Sequence, residues 1–87
     1  MLTLILHRDA NGPAAARRPA RYYRVEVVYN LFGEYSVLRA WGPRGRAGRQ
    51  VVSWFSNLRD AVTAADHWHL KARARGYHLT KRSYGQA

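Results

Sequence analysis

Apolar side chains recur along this chain with two different periods, and the change from one to the other locates the elements. From Arg21 the period is two: Tyr23, Val25, Val27 and Tyr29 share one face while Arg24 and Glu26 share the other, which predicts a β-strand with one face buried. Asn30-Leu31-Phe32-Gly33 places a turn-forming asparagine and a glycine suited to positive φ between this strand and the next, so a short hairpin is expected. The return strand, Glu34 to Trp41, has apolar members on both faces, with Tyr35, Val37, Arg39 and Trp41 on one side and Ser36, Leu38 and Ala40 on the other. The sheet is therefore expected to be covered on part of both faces.

Three glycines, a proline and three arginines fill Gly42 to Arg49, a composition that supports neither helix nor regular strand and predicts an exposed loop. Gln50 to Phe55 returns to β-branched and aromatic residues as a third strand. The period then changes to 3.6. Leu58, Ala61, Val62, Ala65, Trp68, His69 and Ala72 recur at helical spacing. The helix opens at Ser56 or Asn57, with Asp60 at N3 of an Asn57 cap, and closes near Arg75 with Gly76 at C′. Leu2 to His7 is a short strand, Asp9 to Ala20 a Pro- and Ala-rich loop, Tyr77 to Leu79 a last strand, and Thr80 onward a polar, mobile tail. Residues 1–20, 21–79 and 80–87 thus divide as leading strand and loop, main domain, and basic tail. The class is α+β, an antiparallel sheet of four to five strands with one α-helix packed across one face.

Eighty-seven residues suffice for one core and not two, and 47% hydrophobic residues argue against global disorder. No cysteine is present, which excludes disulfides, thiolate nucleophiles and cysteine-held metals. His67 and His69 point about 200° apart on a helix, so they cannot chelate one ion, and no metal or cofactor is expected. Five acidic residues, and serines with no His–carboxylate pairing, leave little material for catalysis; neither enzyme activity nor a small-molecule substrate is expected. The Leu2–Leu6 run is far shorter than the ~20 residues of a membrane span, and the helix face is alanine-rich, so no membrane role is expected and a cytoplasmic location follows.

Charge changes the picture most. Fifteen Lys and Arg face five Asp and Glu, giving +10, and a positive field of that size on a small molecule calls for a polyanionic partner. Arg44, Arg46 and Arg49 crowd one loop, where like charges repel unless an anion arrives, while Lys71, Arg73 and Arg75 also suit a helix C-terminus. The loop is expected to form one positive surface with Arg39 or with the basic end of the helix. It ends in no Gly-Lys-Ser/Thr, so it is not a nucleotide-binding P-loop.

The ordered series Arg21-Tyr22-Tyr23, then Asn30 through Trp41-Gly42 with Gly45 and Gly48, then Lys71 through Arg75-Gly76-Tyr77, resembles the WGR domain family over about two thirds of the chain. The resemblance implies an antiparallel sheet crossed by one helix, and a module that in poly(ADP-ribose) polymerases contacts DNA ends beside a catalytic domain. It further implies contacts by Trp41 and Gly42, with Arg39 two residues earlier. Where the family has arginine this chain has Pro43, which carries neither charge nor N–H. Trp41 at a strand end equally suits a core anchor, and the glycines equally suit backbone turns. The expected function is nucleic-acid binding, DNA before RNA, through Arg39, Trp41, Gly42, Arg44, Arg46, Arg49, Lys71, Arg73 and Arg75. The alternative is an adaptor that docks on a protein partner.

Overall fold

The computed structural model describes residues 1–10 and 19–85. Its elements, in chain order, are β1 (Leu2–Arg8), β2 (Arg21–Tyr29), β3 (Tyr35–Pro43), β4 (Arg49–Phe55), α1 (Leu58–Ala74) and β5 (His78–Tyr84). The strands form one open sheet in the order β4-β3-β2-β1-β5, every neighbouring pair antiparallel, and α1 lies across one face. The fold is α+β, as the periodicities predict. The alanine-rich part of the expected 9–20 loop falls largely outside the described residues.

Register sorts the side chains into two faces. Leu4 and Leu6 of β1 sit opposite Val25 and Tyr23 of β2, and Val27 sits opposite Val37 of β3. These six residues form the buried sheet side of the core. The helix meets them with Ala61, Ala65 and Ala72, all buried, whose small side chains let its axis lie close to the sheet.

Local signals explain each junction. Asn30 Oδ1 accepts from the backbone N–H groups of Phe32 (2.8 Å) and Glu34 (3.0 Å), and Gly33 takes φ +78°, which closes the hairpin. Asn57 Oδ1 accepts from Asp60 N at 2.9 Å while its amide donates to the Asp60 carboxylate at 3.0 Å, a reciprocal N-terminal cap. At the other end Gly76 N donates to Arg73 O and Tyr77 N to Ala72 O, a Schellman closure that turns Tyr77 back beneath the helix.

Two expectations are corrected. The segment from Thr80 is not a mobile tail, because it continues β5 to Tyr84 by pairing along β1 beyond an irregularity at Ile5/Leu6. Nor, among the described residues, does a second layer cover the far face of the sheet. Ala40 is buried there, in register with Arg24 and Gln50, while Val28, Val52 and Trp54 remain exposed.

Candidate nucleic-acid interface

Alternation along β1, β2 and β3 carries more than the core to the helix side. At the strand ends the same face presents Arg8 after Leu6, Arg21 before Tyr23, and Arg39 and Trp41 after Val37. Across from them, the C-terminal half of α1 brings Trp68, Lys71 and Arg75, and the Schellman turn brings Tyr77. Together with Tyr23 and Ala72 these side chains line a cleft of about 330 Å³. That volume lies at the lower end of the range of small-ligand pockets.

Among the described residues, five cations and four aromatic rings line the cleft, and no carboxylate does. The Arg39 guanidinium lies 3.5 Å from the Trp68 ring centroid and 5.5 Å from that of Trp41, and Lys71 Nζ lies 5.3 Å from Trp68. Arg8 is 5.2 Å from the Tyr77 ring, and Arg21 Nε donates to the Tyr77 hydroxyl at 3.2 Å. The Tyr23 ring stacks on Trp41 at 6.1 Å and meets Tyr77 edge-on at 5.9 Å. Rings thus hold the cations in place where acids would otherwise neutralise them. Among the described residues the two ion pairs are Arg24–Glu26 (2.9 Å) and Arg44–Asp9 (3.8 Å), both outside the cleft. Arg8 Nε is buried without a hydrogen-bond partner, a donor with unused capacity.

The expected site residues therefore divide. Arg39, Trp41, Lys71 and Arg75 come together in the cleft, and Trp41 both packs against the core and lines the site. Arg44 lies across the sheet, beside His7 and Arg24. The expected single positive surface is thus divided between two faces, because a turn at Pro43-Arg44-Gly45-Arg46 closes with Arg46 N donating to Pro43 O at 3.3 Å, and Arg44 N donates to Ala20 O at 3.0 Å. Arg46, Arg49 and Arg73 are exposed outside the cleft lining; register with Trp41 gives Arg49 the helix side of edge strand β4.

The glycines serve the backbone. Gly42, expected in the exposed loop, instead belongs to β3 and is buried, and a Cβ there would stand 2.8 Å from Gly48 Cα. A Cβ on Gly48 would overlap the Trp41 carbonyl, so this pair lets the loop fold down on the strand end. Gly45 adopts φ +79° at the third position of a type II turn.

Sequence reasoning missed Arg8, Tyr23, Trp68 and Tyr77 as site residues, and gave Arg21 no contact. Continuing the two alternations, Leu2-Leu4-Leu6-Arg8 and Arg21-Tyr23-Val25, puts both arginines on the helix side and would have found two of them.

An open antiparallel sheet crossed by one helix, with a tryptophan-centred cationic cleft at the helix C-terminal end, defines a small α+β domain. The chain belongs to the WGR family: the WGR domain model matches residues 10–84. It is also similar to the uncharacterized protein y4dW of Sinorhizobium fredii, 39% identical over 62 residues, which is 71% of this chain and 30% of that protein. The chain thus spans under a third of the length of that relative. The WGR domain is a non-catalytic module linked in the polymerase-type proteins to nucleic-acid binding.

Proposed function

We propose that this chain is a non-enzymatic nucleic-acid-binding module, directed to DNA, whose contact surface is the cleft between β3 and the C-terminal half of α1. One observation carries the reading: Arg8, Arg21, Arg39, Lys71 and Arg75 converge around Tyr23, Trp41, Trp68 and Tyr77 with no carboxylate in the lining. Such a surface stores repulsion that an incoming phosphate backbone relieves, while the rings offer faces for sugar or base. Arg39 is ordered on Trp68 before any ligand arrives, so little side-chain entropy remains to be lost on binding. Family membership supports the same reading.

The test is a fluorescence anisotropy titration of the domain against blunt duplex, nicked duplex and single strand at two salt concentrations. Binding that weakens with salt, and a slope that falls by about 0.9 per lost contact on duplex when Arg39 and Lys71 are changed to Ala, is the expected result. Absence of salt-dependent binding to all three would overturn the reading.

A second reading, docking on a protein partner, draws support from the hairpin tip. Leu31 is 99% and Phe32 86% exposed on a turn held rigid by Asn30, two apolar side chains displayed at no folding benefit. The two readings use opposite ends of the β2–β3 hairpin and are separable by mutation.

A further inference from the structure

The face of the sheet turned away from α1 carries its own cationic cluster. Ile5 and His7 of β1, Tyr22 and Arg24 of β2, and Arg44 and Gly45 of the following turn line a concavity of about 230 Å³ that shares no residue with the cleft. Register adds His78 opposite His7 and Lys81 opposite Ile5 from β5.

Three features equip this face for an anion. Glu26 Oε1 lies 2.9 Å from Arg24 Nε as an ion pair that does not complete a hydrogen bond, so the Arg24 guanidinium keeps its donors for a ligand. Arg44 reaches Asp9 at only 3.8 Å, both side chains well exposed, so that contact gives way to a better acceptor.

His7 supplies the third feature. Thr80 Oγ1 lies 3.1 Å from the Ile5 carbonyl and 2.8 Å from His7 Nδ1. A hydroxyl has one proton, and the carbonyl can only accept, so Thr80 donates to Ile5 and His7 Nδ1 donates to Thr80. Nε2 is then the ring nitrogen left for a ligand, an acceptor when His7 is neutral and a donor when it is protonated. Arg24, Arg44 and Lys81 are permanent cations on this face, against Glu26 and Asp9. Protonation of His7 adds to that positive excess. Burial, Arg44 and His78 together hold the His7 pKa below its ordinary value, Asp9 opposing them, and an anion among these groups would reverse that field.

We infer that the open face is a second phosphate-binding site, formed by Arg24, Arg44 and His7, that takes a phosphate group independently of the cleft and holds it more tightly when His7 is protonated. The phosphate is either that of a nucleic-acid backbone or free inorganic phosphate. A backbone bound there would leave the cleft open to another segment, so one domain would engage two.

The experiment follows the His7 ring resonances by NMR through a pH titration of the full chain, alone, with inorganic phosphate, and with a short DNA duplex. Either probe should raise the apparent His7 pKa, and the duplex should bind several-fold more tightly at about pH 5.5 than at about pH 7.5. A rise with duplex alone assigns the backbone as the source, and a rise with phosphate alone assigns the free anion. Arg24→Gln combined with Arg44→Gln should remove the rise, and His7→Gln should remove the pH dependence, each with the amide spectrum of the folded domain retained. Arg39→Ala with Lys71→Ala should leave the His7 response intact, which separates this site from the fate of the cleft reading. A His7 titration unmoved by both probes, or moved equally in the Arg24/Arg44 double variant, overturns the inference.

Discussion

The Arg39 guanidinium sits 3.5 Å from the centre of the Trp68 ring, joining β3 to α1 through a cation–π stack at the mouth of the cleft. Stacking uses the flat faces of the guanidinium and leaves the N–H donors at its edge available in the plane. The same contact can thus brace the helix against the sheet and present a preorganised fork to a phosphate. Lysine keeps the charge but not the plane. Arg39→Lys is therefore expected to weaken duplex binding about tenfold, equivalent to roughly 1.4 kcal/mol, with little change in salt slope. Arg39→Ala is expected to lower the slope as well and to cost the fold about 0.5–1 kcal/mol in urea denaturation. Anisotropy titrations of the two variants across a matched salt series, with urea denaturation of each, check both statements.

The glycines of the β3–β4 connection should respond very differently to the same substitution. Gly48→Ala drives a Cβ into the Trp41 carbonyl and to 2.8 Å from the Tyr22 hydroxyl, so backbone must move, and a loss of about 1–3 kcal/mol is expected. Gly45→Ala meets open space and loses only the ease of positive φ, about 1 kcal/mol. For a domain this size each kcal/mol corresponds to about 4–8 °C in Tm. Thermal unfolding that ranks Gly45→Ala below Gly48→Ala in stability would contradict the packing account.

These glycines also mark where the sequence was readable and where it was not. Strands β2 and β3, the Asn57 cap and the Gly76 stop are written in near-neighbour patterns, and the structure has each of them. Strand β5 beyond Leu79 was not legible: Thr80-Lys81-Arg82-Ser83 has no apolar alternation, and pairing with β1 some 75 residues away makes it a strand. The cleft was half legible. Arg39, Trp41, Lys71 and Arg75 are identified by motif and charge, but Arg21 meets Tyr77 across 56 residues, and no local pattern carries that contact. Arg44 reads as a partner of Arg46 in sequence, yet it lies on the far side of the sheet from Arg39, because a tight turn decides its direction.

Stability should fall as the solution is acidified, and His69 is one identifiable cause. It is buried on α1, its Nε2 has no hydrogen-bond partner, and burial and then Arg73 depress its pKa, with Arg82 acting in the same direction and Asp66 opposing. Below the unfolded value near 6.5 the unfolded chain takes up a proton that the folded chain resists, so stability is lost as pH falls from there toward the depressed folded pKa. Above 6.5 both states are neutral and the term vanishes. His69→Leu should therefore lose less stability than the parent on acidification across that window in urea denaturation. An identical pH dependence in the two proteins would remove His69 from the account, leaving His7, shifted in the same direction, as the candidate.

The departure at Pro43 gives the last expectation. Pro43 pairs in register with Arg21 at the end of β3, and alternation from Trp41 and Arg39 gives it the helix side of the sheet. The family resemblance puts arginine there. Restoring it would add a cation beside Arg21 at the rim of a cleft already lined by five, with no carboxylate in that lining to absorb the charge. Pro43→Arg is therefore expected to cost the free domain a little stability through like-charge repulsion, and to strengthen binding to duplex with a salt slope steeper by about 0.9. If the arginine also makes the family's end contact, the gain should be larger for blunt or nicked duplex than for a closed circular duplex of the same sequence. Equal gains on all three would assign the added charge to backbone neutralisation alone. No gain on any of them would mean that the rim beside Arg21 lies outside the contact surface, and the cleft assignment would then rest on Arg39 and Lys71.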